Sequence, residues 1–186
     1  MKDLNATVIV DLAPDEKKIF KALHKDARWG IKKAQKSGLV VKEADSEKEW
    51  NEFYAFFKEV VREGGSDVQP INYIKDKAHK LFICKKGKKI IGGAAIFFDP
   101  IYDMNIPRLL KIASDKEYLN FQPNNLLYWY CILWAKENGY SKFDLGGWQI
   151  NARGHLAGVN NFKEKWGKVV YHHTDYPFFR ALGRKI

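Results

Sequence analysis

The sequence predicts an α/β fold, a mixed central sheet flanked by helices, with an extra basic helix in front. Three observations predict it. Short β-branched runs alternate with amphipathic helical patterns, three strand-like runs follow one another between residues 80 and 114, and a very apolar helix separates them from a further strand. The 46% hydrophobic and 15% aromatic content excludes a disordered chain. The 186 residues are read as one domain, with a strand and basic helix over 1–38 and the core over 39–186.

The elements follow in order. TVIVDL (7–12) reads as a strand. Pro14, Asp15 and Glu16 suit the first turn of a helix that runs to about Lys36 and stops at Ser37-Gly38. LVVKEA (39–44) is a strand. Ser46 and Glu49 form a capping box for a helix reaching Arg62, whose Trp50, Phe53, Tyr54, Phe57 and Val61 recur at core-facing helical spacing. A short helix is expected over 71–80. A hairpin follows over 80–98, turning at Lys-Lys-Gly-Lys-Lys, then a loop at DPIYDMNIP and a strand over 108–114. The apolar helix covers 122–140, where Asn124 and Asn125 can cap it and Asn138-Gly139 stops it. SKFDLGG (141–147) is a strand broken by its glycines. A loop over 148–158, a short helix near 159–166 and a strand KVVYHH (168–173) complete the chain. This order resembles the GNAT acyltransferase fold, in which the strands before and after the long helix splay apart and the acyl donor lies in the gap.

No run approaches the ~18 apolar residues of a membrane span, and Met1 leads into a charged, mixed segment with no secretory h-region. Cys84 and Cys131 show no CxxC pattern and are expected as reduced core thiols of a cytoplasmic protein. His155, His172 and His173 lack metal-ligand spacing with other candidates, so no metal is expected.

The net charge of +10 and pI near 9.4 admit nucleic acid, an anionic membrane surface or a phosphorylated small molecule as partner. Position narrows this. Between Lys17 and Lys36 stand eight basic residues and one acid, Asp26. Lys21, Lys25, Arg28, Lys32 and Lys36 form one helical stripe, with Lys33 beside it, next to an apolar stripe of Phe20, Leu23, Ala27, Ile31 and Ala34. A solubilising face would carry both signs, so the nearly pure stripe points to polyanion or phosphate binding.

Two stretches bear on chemistry. A helix N-terminus that holds the pyrophosphate of coenzyme A uses glycines to let backbone N–H groups approach. The turn NFQPNNLLYW has none, which argues against acetyl-CoA as donor. In FDLGGWQINARGHLAGVNNFKEKWG, Asp144 ends a strand before the Gly146-Gly147 break, where it reaches a cleft or caps a local turn. Lys163, between Phe162 and Trp166 beyond a flexible loop, is either a surface lysine or a positive charge for a developing oxyanion or phosphate.

Three motifs in fixed order carry a further resemblance. They are Arg28, Ile31, Lys33, Ala34 and Gly38; then Phe143, Asp144, Leu145, Gly146 and Gly147; then Gly158, Phe162, Lys163, Trp166 and Gly167. Over about residues 7 to 173 the chain resembles the Fem family of peptidoglycan-bridge aminoacyltransferases. The resemblance implies an aminoacyl-tRNA co-substrate in place of a bound cofactor, and an amine acceptor such as a cell-wall precursor. It places Phe162 and Lys163 beside the donor channel, with Asp144, Gly146, Gly147 and Trp166 around them, and Arg62 near the acceptor's phosphates. No covalent enzyme intermediate is implied; Lys163 stabilises charge on the ester carbonyl. Family members carry two such domains and some a coiled-coil arm; this chain matches the second domain, so a homodimer or an altered acceptor is also implied. Two other readings remain open, an acyl-CoA-dependent N-acyltransferase and a non-catalytic RNA-binding module on the same fold.

Overall fold

The computed structural model describes residues 3–65, 67–99 and 103–174. Seven strands form one sheet: β1 (Asp3–Asp11), β2 (Leu39–Glu43), β3 (Lys80–Lys86), β4 (Lys89–Asp99), β5 (Asp103–Ser114), β6 (Lys142–Gly147) and β7 (Lys168–Thr174). Their spatial order is β2-β3-β4-β5-β6-β1-β7. Every neighbouring pair is antiparallel except β5 and β6, which run parallel. A parallel pair needs a crossover. Here it is a 3-10 turn, Lys116–Phe121, and helix α5 (Pro123–Glu137). Earlier in the chain come α1 (Glu16–Ala22), α2 (Lys25–Lys36), α3 (Glu47–Glu63) and α4 (Ile71–Lys77); α6 (His155–Glu164) precedes β7.

The sheet is buried on both faces over its middle. In β3, Leu81 and Ile83 pack with Phe53 and Phe57 of α3 and Ile74 of α4. Phe82 and Cys84, one residue out of phase, join the core of α5, α2 and α1 on the other face, with Val8, Val10, Phe143 and Leu145. Helix α5 is apolar nearly all round because it lies between the sheet and α2. Among the described residues no helix is long and apolar enough to cross a membrane. Cys84 and Cys131 are free and buried, and burial pushes the Cys84 thiol up to about 12.

The expected mixed sheet, the capping box and the end of the long helix hold. Ser46 Oγ accepts from the Glu49 N–H at 3.4 Å, while Glu49 Oε2 accepts from the Asp45 N–H at 2.9 Å. Gly139 takes a left-handed φ of 81° just past α5. Four expectations are corrected. The single helix over 14–36 is two helices, because Leu23 and His24 are extended, with ψ of 150° and 149°. Leu23 is buried in that conformation and His24 Nδ1 accepts from the Asp26 N–H to start α2. The loop at 99–107 is largely strand: Asp99 ends β4 and Asp103–Pro107 open β5, while residues 100–102 lie outside the described residues. Helix α6 starts a turn earlier than expected, Gly154 serving as its N-cap and Gly158 riding inside it. Asn124 and Asn125 do not cap α5; Gln122 does, with no side-chain bond, while Asn124 Oδ1 accepts from Ser114 Oγ at 2.7 Å.

Gly167 joins α6 to β7 where the chain crosses β1. A Cβ there would stand 2.4 Å from the Ile9 carbonyl oxygen, a backbone atom that cannot swing aside. Gly167→Ala is expected to lower stability by about 2–3 kcal/mol through overpacking, read as a lowered urea midpoint. An unchanged midpoint would contradict this close crossing.

Candidate active site

The parallel strands β5 and β6 share one register pair among the described residues, Arg108 with Asp144. Here Arg108 and Asp144 face each other among the apolar neighbours Leu109, Leu110, Phe143 and Leu145. Arg108 Nε lies 3.5 Å from Asp144 Oδ2, and its Nη1 lies 3.3 Å from Asp99 Oδ2. The Asp144 carboxylate is buried, so its free oxygen needs donors. The Gly146 N–H supplies one at 2.7 Å and the Thr7 hydroxyl another, a short contact. Asp144 therefore ties β5, β6 and β1 together. Of the two roles open to it in the sequence, it closes a local turn and also lines a cleft.

Gly146 carries a left-handed φ of 80°, and a Cβ on it would meet the Leu109 carbonyl at 3.1 Å. This turn stands close against β5 just past the β5–β6 register pair, a place termed the fork. Into the fork reaches Lys163 from the last turn of α6. Its Nζ donates to the Gly147 carbonyl at 2.8 Å and would lie 3.6 Å from a Cβ on Gly146. Burial pulls its pKa down from 10.5 to about 8; the nearby Asp144 charge acts upward and Arg108 downward. An ammonium that is half-desolvated and still protonated at neutral pH is suited to meet a developing oxyanion.

Phe162, the preceding residue on α6, faces a different space. It packs edge-on against Tyr128, ring centroids 5.2 Å apart, and lines a cleft of about 330 Å³ with Trp29, Gln122 and Lys165. Trp166 lies in the core, its ring 5.3 Å from Tyr128 and 6.1 Å from Phe162, and so backs Phe162. A larger cleft of about 810 Å³ runs along β1, β7 and α1 and includes Arg108, Asp144 and Lys142.

The remaining sequence candidates are scattered more widely. Lys25, Lys32 and Lys36 are exposed on α2, Lys33 is half-buried there, and Lys21 is exposed on α1, so the stripe is divided by the break at Leu23 and His24. The Arg28 side chain turns back, Nη1 donating to the Lys21 carbonyl at 3.0 Å and to that of Leu23, and so closes the end of α1. Arg62 is exposed at the end of α3 and lines neither cleft. Sequence reasoning missed Arg108, Thr7 and Trp29. The signal for Arg108 was a lone charge in the apolar run Ile106-Pro-Arg-Leu-Leu, matching the lone Asp144 in Phe-Asp-Leu.

One mixed sheet whose parallel pair is joined by a crossover helix, with helices on both faces, defines an α/β fold. A family model described as "Acetyltransferase (GNAT) domain" matches residues 21–164, and the chain belongs to this family. No curated protein sequence matches it. Among solved structures, FemX is similar with a TM-score of 0.76 at 16% identity, over 96% of this chain and 64% of that one. The C-terminal domain of a putative lysylphosphatidylglycerol synthetase from Agrobacterium fabrum gives 0.68 at 14% identity, over 93% of this chain and 60% of that one. L-PGS from Bacillus licheniformis gives 0.64 at 17% identity, over 99% of this chain and 68% of that one. The chain thus spans less than two thirds of the first two. At these identities the likeness is one of fold.

Asp144→Asn keeps an acceptor for Gly146 and removes the charge facing Arg108. It is expected to lower stability by about 1–3 kcal/mol in urea. Because the Asp144 charge raises the Lys163 pKa, the same variant is expected to titrate Lys163 below the wild-type value of about 8. A Lys163 pKa that stays put or rises would contradict the coupling.

Proposed function

We propose that this chain is an aminoacyltransferase of the Fem type, moving an aminoacyl group from aminoacyl-tRNA to the amine of an acceptor such as a cell-wall precursor, in the cytoplasm. The observation that carries the reading is the Lys163 ammonium, held at the fork by the Gly147 carbonyl beside the Gly146 turn. The neutral acceptor amine attacks the ester carbonyl, and Lys163 stabilises the oxyanion that forms. The C–N bond is made, the ester C–O bond breaks, and the amine's proton leaves as the ribose oxygen gains one. Positioning of donor and acceptor supplies much of the remaining acceleration.

Two features favour tRNA as donor. The α5 N-terminal turn presents Gln122, left-handed at φ 64°, and Pro123 where a pyrophosphate loop would need glycines. The exposed lysines of α2 stand beside it, α2 packing on both α5 and the 3-10 turn, and suit a polyanion's phosphates. Acetyl transfer from acetyl-CoA is a second reading, favoured by the description of the matching family.

The test is single-turnover transfer of a labelled amino acid from charged tRNA to amine acceptors, with labelled acetyl-CoA in parallel. Lys163→Ala is expected to lose about 10²–10³-fold in rate, as for an oxyanion-stabilising group. The cationic form exists below the lysine's pKa, so the wild-type rate is expected to bend downward as pH rises through about 8, and the Lys163→Arg rate is not. Transfer from acetyl-CoA alone, or full activity in Lys163→Ala, would overturn the reading.

A further inference from the structure

Trp29 is the most exposed tryptophan in the fold's surface chemistry for which packing gives no reason. It keeps 57% of its surface open, on a helix whose other exposed positions are mostly charged. The Lys33 ammonium stands 4.9 Å over the centroid of its ring, and the indole forms a wall of the cleft of about 330 Å³ shared with Phe162, Gln122 and Lys165. Next to it, Gly30 brings α2 close against α5: a Cβ there would lie 2.5 Å from Asn125 Cγ. The helix is thus seated so that the indole borders the cleft. An exposed indole with Lys33 on one face, in a recess at the small end of ligand-pocket sizes where Lys165 pairs with Asp26 at 2.8 Å, offers its other face to one nucleobase of a single strand.

We propose that Trp29 stacks the terminal base of an RNA 3′ end in this cleft. The proposal rests on the aminoacyl-tRNA reading and adds the position of the donor's last nucleoside. Phe162 in the cleft and Lys163 at the fork are consecutive residues of α6. In a 3′-aminoacyl nucleoside the base and the reacting ester share one ribose, so they must be held within one nucleoside's length. The proposal therefore requires that one nucleoside span the distance from the Trp29 ring to the Lys163 ammonium, the two sites being joined through consecutive residues of α6. The adenine of coenzyme A is separated from its thioester by a pyrophosphate and the whole pantetheine arm, so the two donors make different demands on this spacing. The basic residues that follow Trp29 on α2, Lys32, Lys33 and Lys36, supply positive charge for the preceding phosphates.

The experiment measures binding of an uncharged RNA minihelix ending in CCA-3′, and of the same RNA with an abasic last nucleotide, by fluorescence anisotropy. Wild type, Trp29→Ala and Trp29→Phe are compared, with thermal unfolding to confirm that each is folded. Wild type is expected to bind the abasic RNA about tenfold or more weakly, one lost base–aromatic stack. Trp29→Ala is expected to bind the intact RNA as weakly as wild type binds the abasic one, and to lose nothing further with the abasic probe. Trp29→Phe is expected to restore most of the difference. Trp29→Ala binding the intact RNA like wild type, or remaining as sensitive to the missing base, would overturn the stack while leaving tRNA-dependent transfer intact. Competition by coenzyme A in wild type and not in Trp29→Ala would assign the cleft to that adenine and overturn the RNA source. A wild type that binds neither RNA and transfers only from acetyl-CoA would overturn both this proposal and the function it rests on.

Discussion

The ion pair between Arg108 and Asp144 sits at the parallel pair β5–β6, the one such pair among the described residues. Parallel strands hold together less well than antiparallel ones. A pair of charges taken out of water is costly unless its remaining lone pairs are satisfied. Asp144 meets that requirement with the Gly146 N–H and the Thr7 hydroxyl, and Arg108 with Asp99. The pairing therefore does more than join two strands. It fixes the Gly146 turn, and with it the Gly147 carbonyl that receives Lys163. Replacing the pair with apolar residues would keep a core and lose the reason for the turn.

From that fixed point the two ends of the site follow. Successive positions on a helix point about 100° apart. Helix α6 uses this to aim Lys163 at the fork and Phe162 at the cleft beside α5. Trp166, buried against Tyr128, backs Phe162 and also lines the larger cleft. Gly167, tight against Ile9, returns the chain to β7 at the sheet edge. The five glycines of the 143–167 stretch therefore serve separate purposes. Gly146 supplies a left-handed turn, Gly167 a close crossing, and Gly158 stands in an exposed helix with nothing near it.

Much of this was legible from residue pattern alone. Alternation marked the strands, 3.6-residue spacing marked α3, and the all-round apolar run marked the buried crossover helix. Asp144, Gly146, Gly147 and Lys163, which the sequence motifs name, are neighbours in the fold. What was not legible has physical causes. The break between α1 and α2 contains neither glycine nor proline; it is made by burying Leu23, by His24 as N-cap and by Arg28 closing α1, all long-range or side-chain effects. Pro107 disguised the start of β5 as a loop, yet a register slip beside it, opposite Phe98 and Asp99, makes a missing N–H tolerable. Arg108 showed only as a lone charge in an apolar run, because its partner lies across a crossover, a relation that topology reveals.

The central claim is that the fork holds the Lys163 ammonium in a desolvated position where it still carries charge at neutral pH. An NMR titration of lysine side-chain carbons labelled at Cε tests it most directly, with Lys163→Met to assign the resonance. The account predicts one lysine titrating near pH 8, absent in the variant. A Lys163 resonance that titrates with the surface lysines, near their ordinary value of about 10.4, would contradict it.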